Sequence, residues 1–81
     1  MMVSLNNSGF DHGQTRYMTE SMFNVVDGSK CVPMVRIGVY SMTDDGNAFA
    51  RCATVSIQRK RNQRWMRAAT IIAKVEEALA A

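Results

Sequence analysis

The chain has 81 residues, 47% of them apolar and 21% charged, with a formal net charge of +3. That makes one domain at most, with a thin core that buries roughly 60–65% of the unfolded surface, and it excludes wholesale disorder. Cys31 and Cys52, with no CxxC pair, are too few for a disulfide scaffold, and no run approaches the eighteen apolar residues of a membrane span.

Residues 1–15 are rich in Asn, Ser, Gly and Asp and read as an irregular N-terminal segment, with Val3 and Leu5 able to touch a sheet. They contain no basic segment followed by a long apolar run, so no signal peptide is read and a cytoplasmic location is expected. His12, the only histidine, has no Cys, His or clustered acids at ligand spacing, and a solvated loop residue is the reading that follows.

Tyr17–Val26 is strand-like and leads into the turn signal Asp27-Gly28-Ser29-Lys30. Cys31–Met42 is the clearest strand, because Val35, Ile37 and Val39 alternate with Arg36, Gly38 and Tyr40. Pro33 lacks a ladder donor and belongs near the strand's start or at a bulge. Thr43–Asn47 is a second turn, followed by a strand over Ala48–Gln58. A three-residue loop, Asp44–Gly46 with Gly46 left-handed, pairs Ile37 with Ala53 and Val35 with Val55 and gathers the apolar residues on one face. The other face then carries Met34, Arg36, Gly38, Tyr40, Ala50, Cys52, Thr54 and Ser56.

Trp65, Ala68, Ile72, Val75 and Leu79 recur at spacings of 3, 4, 3 and 4, one stripe of a helix, with Asn62 a suitable N-cap. The stripe is expected to cover the Val35/Ile37/Val39 face. The fold expected is therefore α+β: a three-stranded antiparallel meander with one C-terminal helix packed on one face, residues 16–81 forming a single ββ-β-α domain.

Six of the ten cations (Arg51, Arg59, Lys60, Arg61, Arg64 and Arg67) lie within seventeen residues that hold no acid. Placed at a helix N-terminus, whose unpaired amides already carry about half a positive charge, such cations are unfavourable by roughly 0.3–1 kcal/mol each. Stability does not favour that order; binding of phosphate or clustered carboxylates does. The expected binding residues are Arg59, Lys60, Arg61, Arg64 and Arg67, extended by Arg51 and Arg36. The bland alternative is a solvated edge that keeps a small protein soluble. Trp65, in phase with the apolar stripe, reads as core rather than as a stacking platform. No nucleophile has a base partner and no Gly-rich phosphate loop is present, so neither enzymatic activity nor a cofactor or metal is expected.

The order of strands and helix over residues 17–81 resembles the arm-site DNA-binding domains of phage integrases. It is also similar to compact phage-encoded inhibitors, anti-CRISPR proteins among them. Neither resemblance rests on a motif, and neither assigns a residue. The leading expectation is a module contacting the phosphate backbone of DNA or RNA. The alternative is a phage-type inhibitor or accessory factor that meets an acidic or nucleic-acid-binding protein surface. A homodimer through the open sheet face is a third mode, and no membrane association is expected.

Overall fold

A computed structural model describes residues 1–81. Six strands precede one helix: β1 (Met2–Ser4), β2 (Ser8–His12), β3 (Thr15–Asp27), β4 (Lys30–Met42), β5 (Phe49–Gln58), β6 (Trp65–Arg67) and α1 (Ala68–Ala80). The class is α+β, but there are two sheets rather than one three-stranded sheet. β2-β3-β4-β5 form an antiparallel meander, and β1 pairs with β6 in a separate ribbon. No helix is long and apolar enough to cross a membrane.

Residues 1–15, expected to be irregular, hold two strands. Strand β2 turns into β3 through Gly13-Gln14, with Gly13 at φ +61°. Its only inward-facing large residue is Phe10, which stacks on Tyr17 with ring centroids 5.1 Å apart. One apolar residue in five gives no period to read, so the segment resembles a loop in sequence. Leu5 is fully buried, and Thr19 ties this segment to the sheet. The Thr19 hydroxyl donates to the Ser4 carbonyl at 2.7 Å and accepts from the Ser8 amide at 2.9 Å.

Strands β3 and β4 meet through the two-residue loop Gly28-Ser29, with Asp27 opposite Lys30. Gly28 has φ +62°, the positive value that the first position of a two-residue hairpin loop accepts most readily from glycine. The β4–β5 loop runs over six residues, 43–48, closed by Thr43 N–H to Ala48 C=O at 2.8 Å. Gly46 is left-handed there, at φ +71°. The register consequently differs from the expected one: Ile37 faces Val55 and Val35 faces Ile57. The longer loop shifts pairing by one residue and a bulge at Cys52 by another. A shift of two preserves side-chain parity, so the expected apolar face is the real one.

The helix begins later than its apolar spacing suggests. It starts at Ala68, because Trp65–Arg67 pair with β1 and are strand. Met66, not Trp65, enters the core, at 3% exposure against 56% for Trp65. Arg67 is the extended N-cap residue without a side-chain cap; instead the Met1 carbonyl accepts from the Ala68 amide at 2.9 Å. The buried helix residues are Ile71 and Val75, with Ala68 and Ile72 partly covered, whereas Leu79 is exposed. The cover over Val35, Ile37 and Val39 is thus shared between the β1–β6 ribbon (Val3, Met66), Leu5 just after β1, and α1.

Candidate anion-binding site

Between β5 and β6 the chain crosses the underside of the β3–β4 hairpin, and the local sequence fixes that crossing. Arg59 donates its amide to the Pro33 carbonyl at 3.1 Å and its Nε to the Met34 carbonyl at 3.0 Å. Lys60–Gln63 then form a turn, Gln63 N–H to Lys60 C=O at 3.0 Å, with Asn62 at φ +65° in its third position. A left-handed residue at that place is the type II pattern, which asparagine tolerates. The Gln63 side chain locks the turn, accepting from the Lys60 amide at 2.9 Å and donating to the Trp65 carbonyl at 2.8 Å. Arg64 is held by its carbonyl, which accepts from Leu5 N–H at 2.9 Å.

The result is a concave site of about 260 Å³ lined by Met22, Asn24, Cys31, Pro33, Arg59, Arg61, Asn62 and Arg64. Three arginines and no acidic residue line it. The chain's only ion pairs are Arg16–Asp11 and Arg51–Glu20, so none of the three arginines is neutralised by an acid. Beside it lies a second hollow of about 270 Å³, lined by Gln58, Arg59, Lys60, Gln63, Met66, Thr70 and Lys74, again without an acid. Arg59 belongs to both. Like charges gathered around two adjoining hollows repel one another, and an anion spanning them relieves that repulsion.

The sequence-derived residues therefore divide. Arg59, Arg61 and Arg64 converge on one cavity, and Lys60 joins Arg59 at the next. Arg67 lies apart on the ribbon's outer surface, paired across from Met2. Arg36 and Arg51 sit on the opposite face of the sheet. Arg36 stacks over Phe23 at 5.2 Å. Arg51 is engaged by Glu20, Tyr40 and Thr54. That engagement depends on Gly38, where a Cβ would lie 2.9 Å from Arg51 Nη1 and 3.1 Å from Glu20 Oε1. Only Arg67 stands at the helix N-terminus, against its dipole, since Arg59–Arg64 precede β6 rather than the helix.

Sequence reading missed Asn24, Cys31, Asn62 and Lys74 as lining residues. The first two share the inward parity of Val35 on the β3–β4 hairpin, beyond the reach of α1. Their position follows once Asp27 is set opposite Lys30, a register that composition leaves open. Lys74 reaches the second hollow only because α1 runs back along β5. In comparisons with family models, curated proteins and solved structures, the chain matches none.

Proposed function

We propose that this is a non-enzymatic binding protein that holds the phosphate backbone of a nucleic acid along the two hollows sharing Arg59. The observation that carries the reading is a line of cations, Arg64, Arg61, Arg59, Lys60 and Lys74, along two hollows that no acid lines, built on a crossing fixed by six hydrogen bonds to its backbone and side chains. Guanidinium forks suit the paired oxygens of a phosphate. Two hollows side by side match successive phosphates better than they match one isolated anion. Arg36, Arg51 and Arg67 lie off this track and contribute only to the general positive field.

The test is equilibrium binding to random-sequence single-stranded and duplex oligonucleotides as salt is raised. Each phosphate contacted contributes a log–log slope of about −0.9 on duplex and about −0.7 on single strands. A steep decline that flattens when Arg59, Arg61 and Arg64 are all replaced by alanine supports the reading. Absence of binding at low salt refutes it and leaves an acidic protein surface as the partner.

A further inference from the structure

We infer that the free edge of β5 pairs antiparallel with β5 of a second copy of this chain, about a two-fold axis at Val55. The four-stranded sheet ends in two edges that are treated differently. The β2 edge has five residues, among them Asp11 and His12, and is short and charged in the way that discourages pairing. The β5 edge has ten, without proline, lysine or glycine, and nothing in the chain pairs with its outer side.

Within β5, the ladder is regular from Ala53 to Gln58, past the bulge at Cys52 that sets Arg51 apart, and Cys52–Gln58 carries no charge at all. That stretch is centred on Val55. Folding it onto itself sets Val55 opposite Val55 and Ala53 opposite Ile57 on the inner face, and Thr54 opposite Ser56 and Cys52 opposite Gln58 on the outer face. The inner pairs are wholly apolar and the outer pairs uncharged, so no like charges oppose each other within Cys52–Gln58; the pairing ends there, because one step further Arg51 would meet Arg59. Ala53 and Val55 remain partly exposed in a single copy, and a partner's strand would cover them. The groove between this edge and α1 is lined by Ser56, Gln58, Lys74 and Glu77 together with the small Ala78 and Ala81. Lys74 and Glu77, opposite in sign and one turn apart, are self-complementary under a two-fold.

The amount of exposed surface points the same way. The isolated chain exposes 5413 Å², against about 4,900 Å² expected for a monomer of its mass. Leu79, on the α1 side of the groove, is a large apolar residue left 52% exposed.

Sedimentation equilibrium tests the inference. The wild-type chain of 9.0 kDa is expected to sediment at twice that mass at micromolar concentration. The double variant Thr54→Lys/Ser56→Lys, which sets lysine against lysine twice across the axis, is expected to sediment as monomer. Thr54→Lys/Ser56→Glu, which sets opposite charges there, is expected to remain dimeric. Amide hydrogen exchange removes dependence on the variants, because β5 amides should become more protected as wild-type concentration rises. Edge pairing is overturned if the wild type stays at 9.0 kDa to millimolar concentration, or if the double-lysine variant still dimerises. It is equally overturned by β5 exchange that ignores concentration, the result for a dimer formed through the sheet face.

Discussion

Arg59 donates its Nε to the main-chain carbonyl of Met34 at 3.0 Å, which anchors one corner of the guanidinium of a residue that lines both hollows. Lysine keeps the charge but lacks the fork that makes this anchor and a second contact together. Arg59→Lys should therefore weaken oligonucleotide binding measurably while leaving the salt slope nearly unchanged. Arg59→Ala should lower affinity by the roughly 1.5–3 kcal/mol typical of a charged hydrogen bond and reduce the slope by about one contact. Arg36→Ala, on the far face, should change neither by a comparable amount. Equal losses at Arg36 and Arg59 in fluorescence anisotropy would remove the assigned site.

Two bulges bring Glu20 and Arg51 together above Gly38. The Arg51 hydrogen bond holds the Glu20 carboxyl below its ordinary range, with the charges of Arg51 and Arg36 adding to the effect and partial burial opposing it. A depressed carboxylate stabilises the fold above its unfolded pKa, and that contribution disappears as pH falls through the folded value. Wild-type urea midpoints should thus drop between neutral pH and pH about 3, and Glu20→Gln should drop less over the same interval. Asp11 and Asp45 are depressed by hydrogen bonds from Arg16 and from Thr43 and act in the same direction, so only the difference between the two proteins is diagnostic. Parallel curves for wild type and Glu20→Gln would show that the pair contributes nothing to acid sensitivity.

What the sequence conveyed and what it hid follow from range. The hairpin β3–β4 and the inward parity of Val35, Ile37, Val39 and Val55 were legible because alternation and turn chemistry act over a few residues. The clustering of Arg59, Arg61 and Arg64 was equally plain, although the helix argued to hold them begins after them. Trp65–Arg67 fit a helical period as well as a strand. The choice was made by Met2–Ser4, more than sixty residues away, whose unpaired edge supplies a ladder that captures Met66. Residues 1–15 were obscure for the same reason: Val3 and Leu5 are two apart, but Phe10 follows five positions after Leu5, so no period is sustained, since each answers to a different neighbour.

The N-terminal segment should accordingly behave as core. Thr19→Val removes the hydroxyl that bridges Ser4 and Ser8 and leaves their backbone groups with one partner fewer. The expected cost is about 1–3 kcal/mol, or a Tm lower by roughly 4–8 °C for each kcal/mol in a domain of this size. Leu5→Ala should cost about 2–5 kcal/mol, as for any fully buried leucine. A thermal scan in which Leu5→Ala matches the wild type would restore residues 1–15 to an irregular tail.

Trp65 and Met66 offer the sharpest test of the strand that replaced the first turns of the expected helix. In a helix from Asn62, Trp65 lies in the buried stripe and Met66 on its flank; in β6 their roles are exchanged. Met66 is 3% exposed within a cluster that includes Val3, Leu5 and Ile71, so Met66→Ala should destabilise by about 2–5 kcal/mol. Trp65 is 56% exposed and its structural hydrogen bond is made by its carbonyl, which any residue retains. Trp65→Ala should therefore stay within about 0.5 kcal/mol of the wild type in urea, provided the strand carries the ribbon by its backbone. Indole fluorescence of the folded wild type should be quenched by iodide nearly as well as in the unfolded chain, since this is the only tryptophan. A protected indole together with a costly Trp65→Ala would move the start of the helix back before Trp65 and dissolve the β1–β6 ribbon.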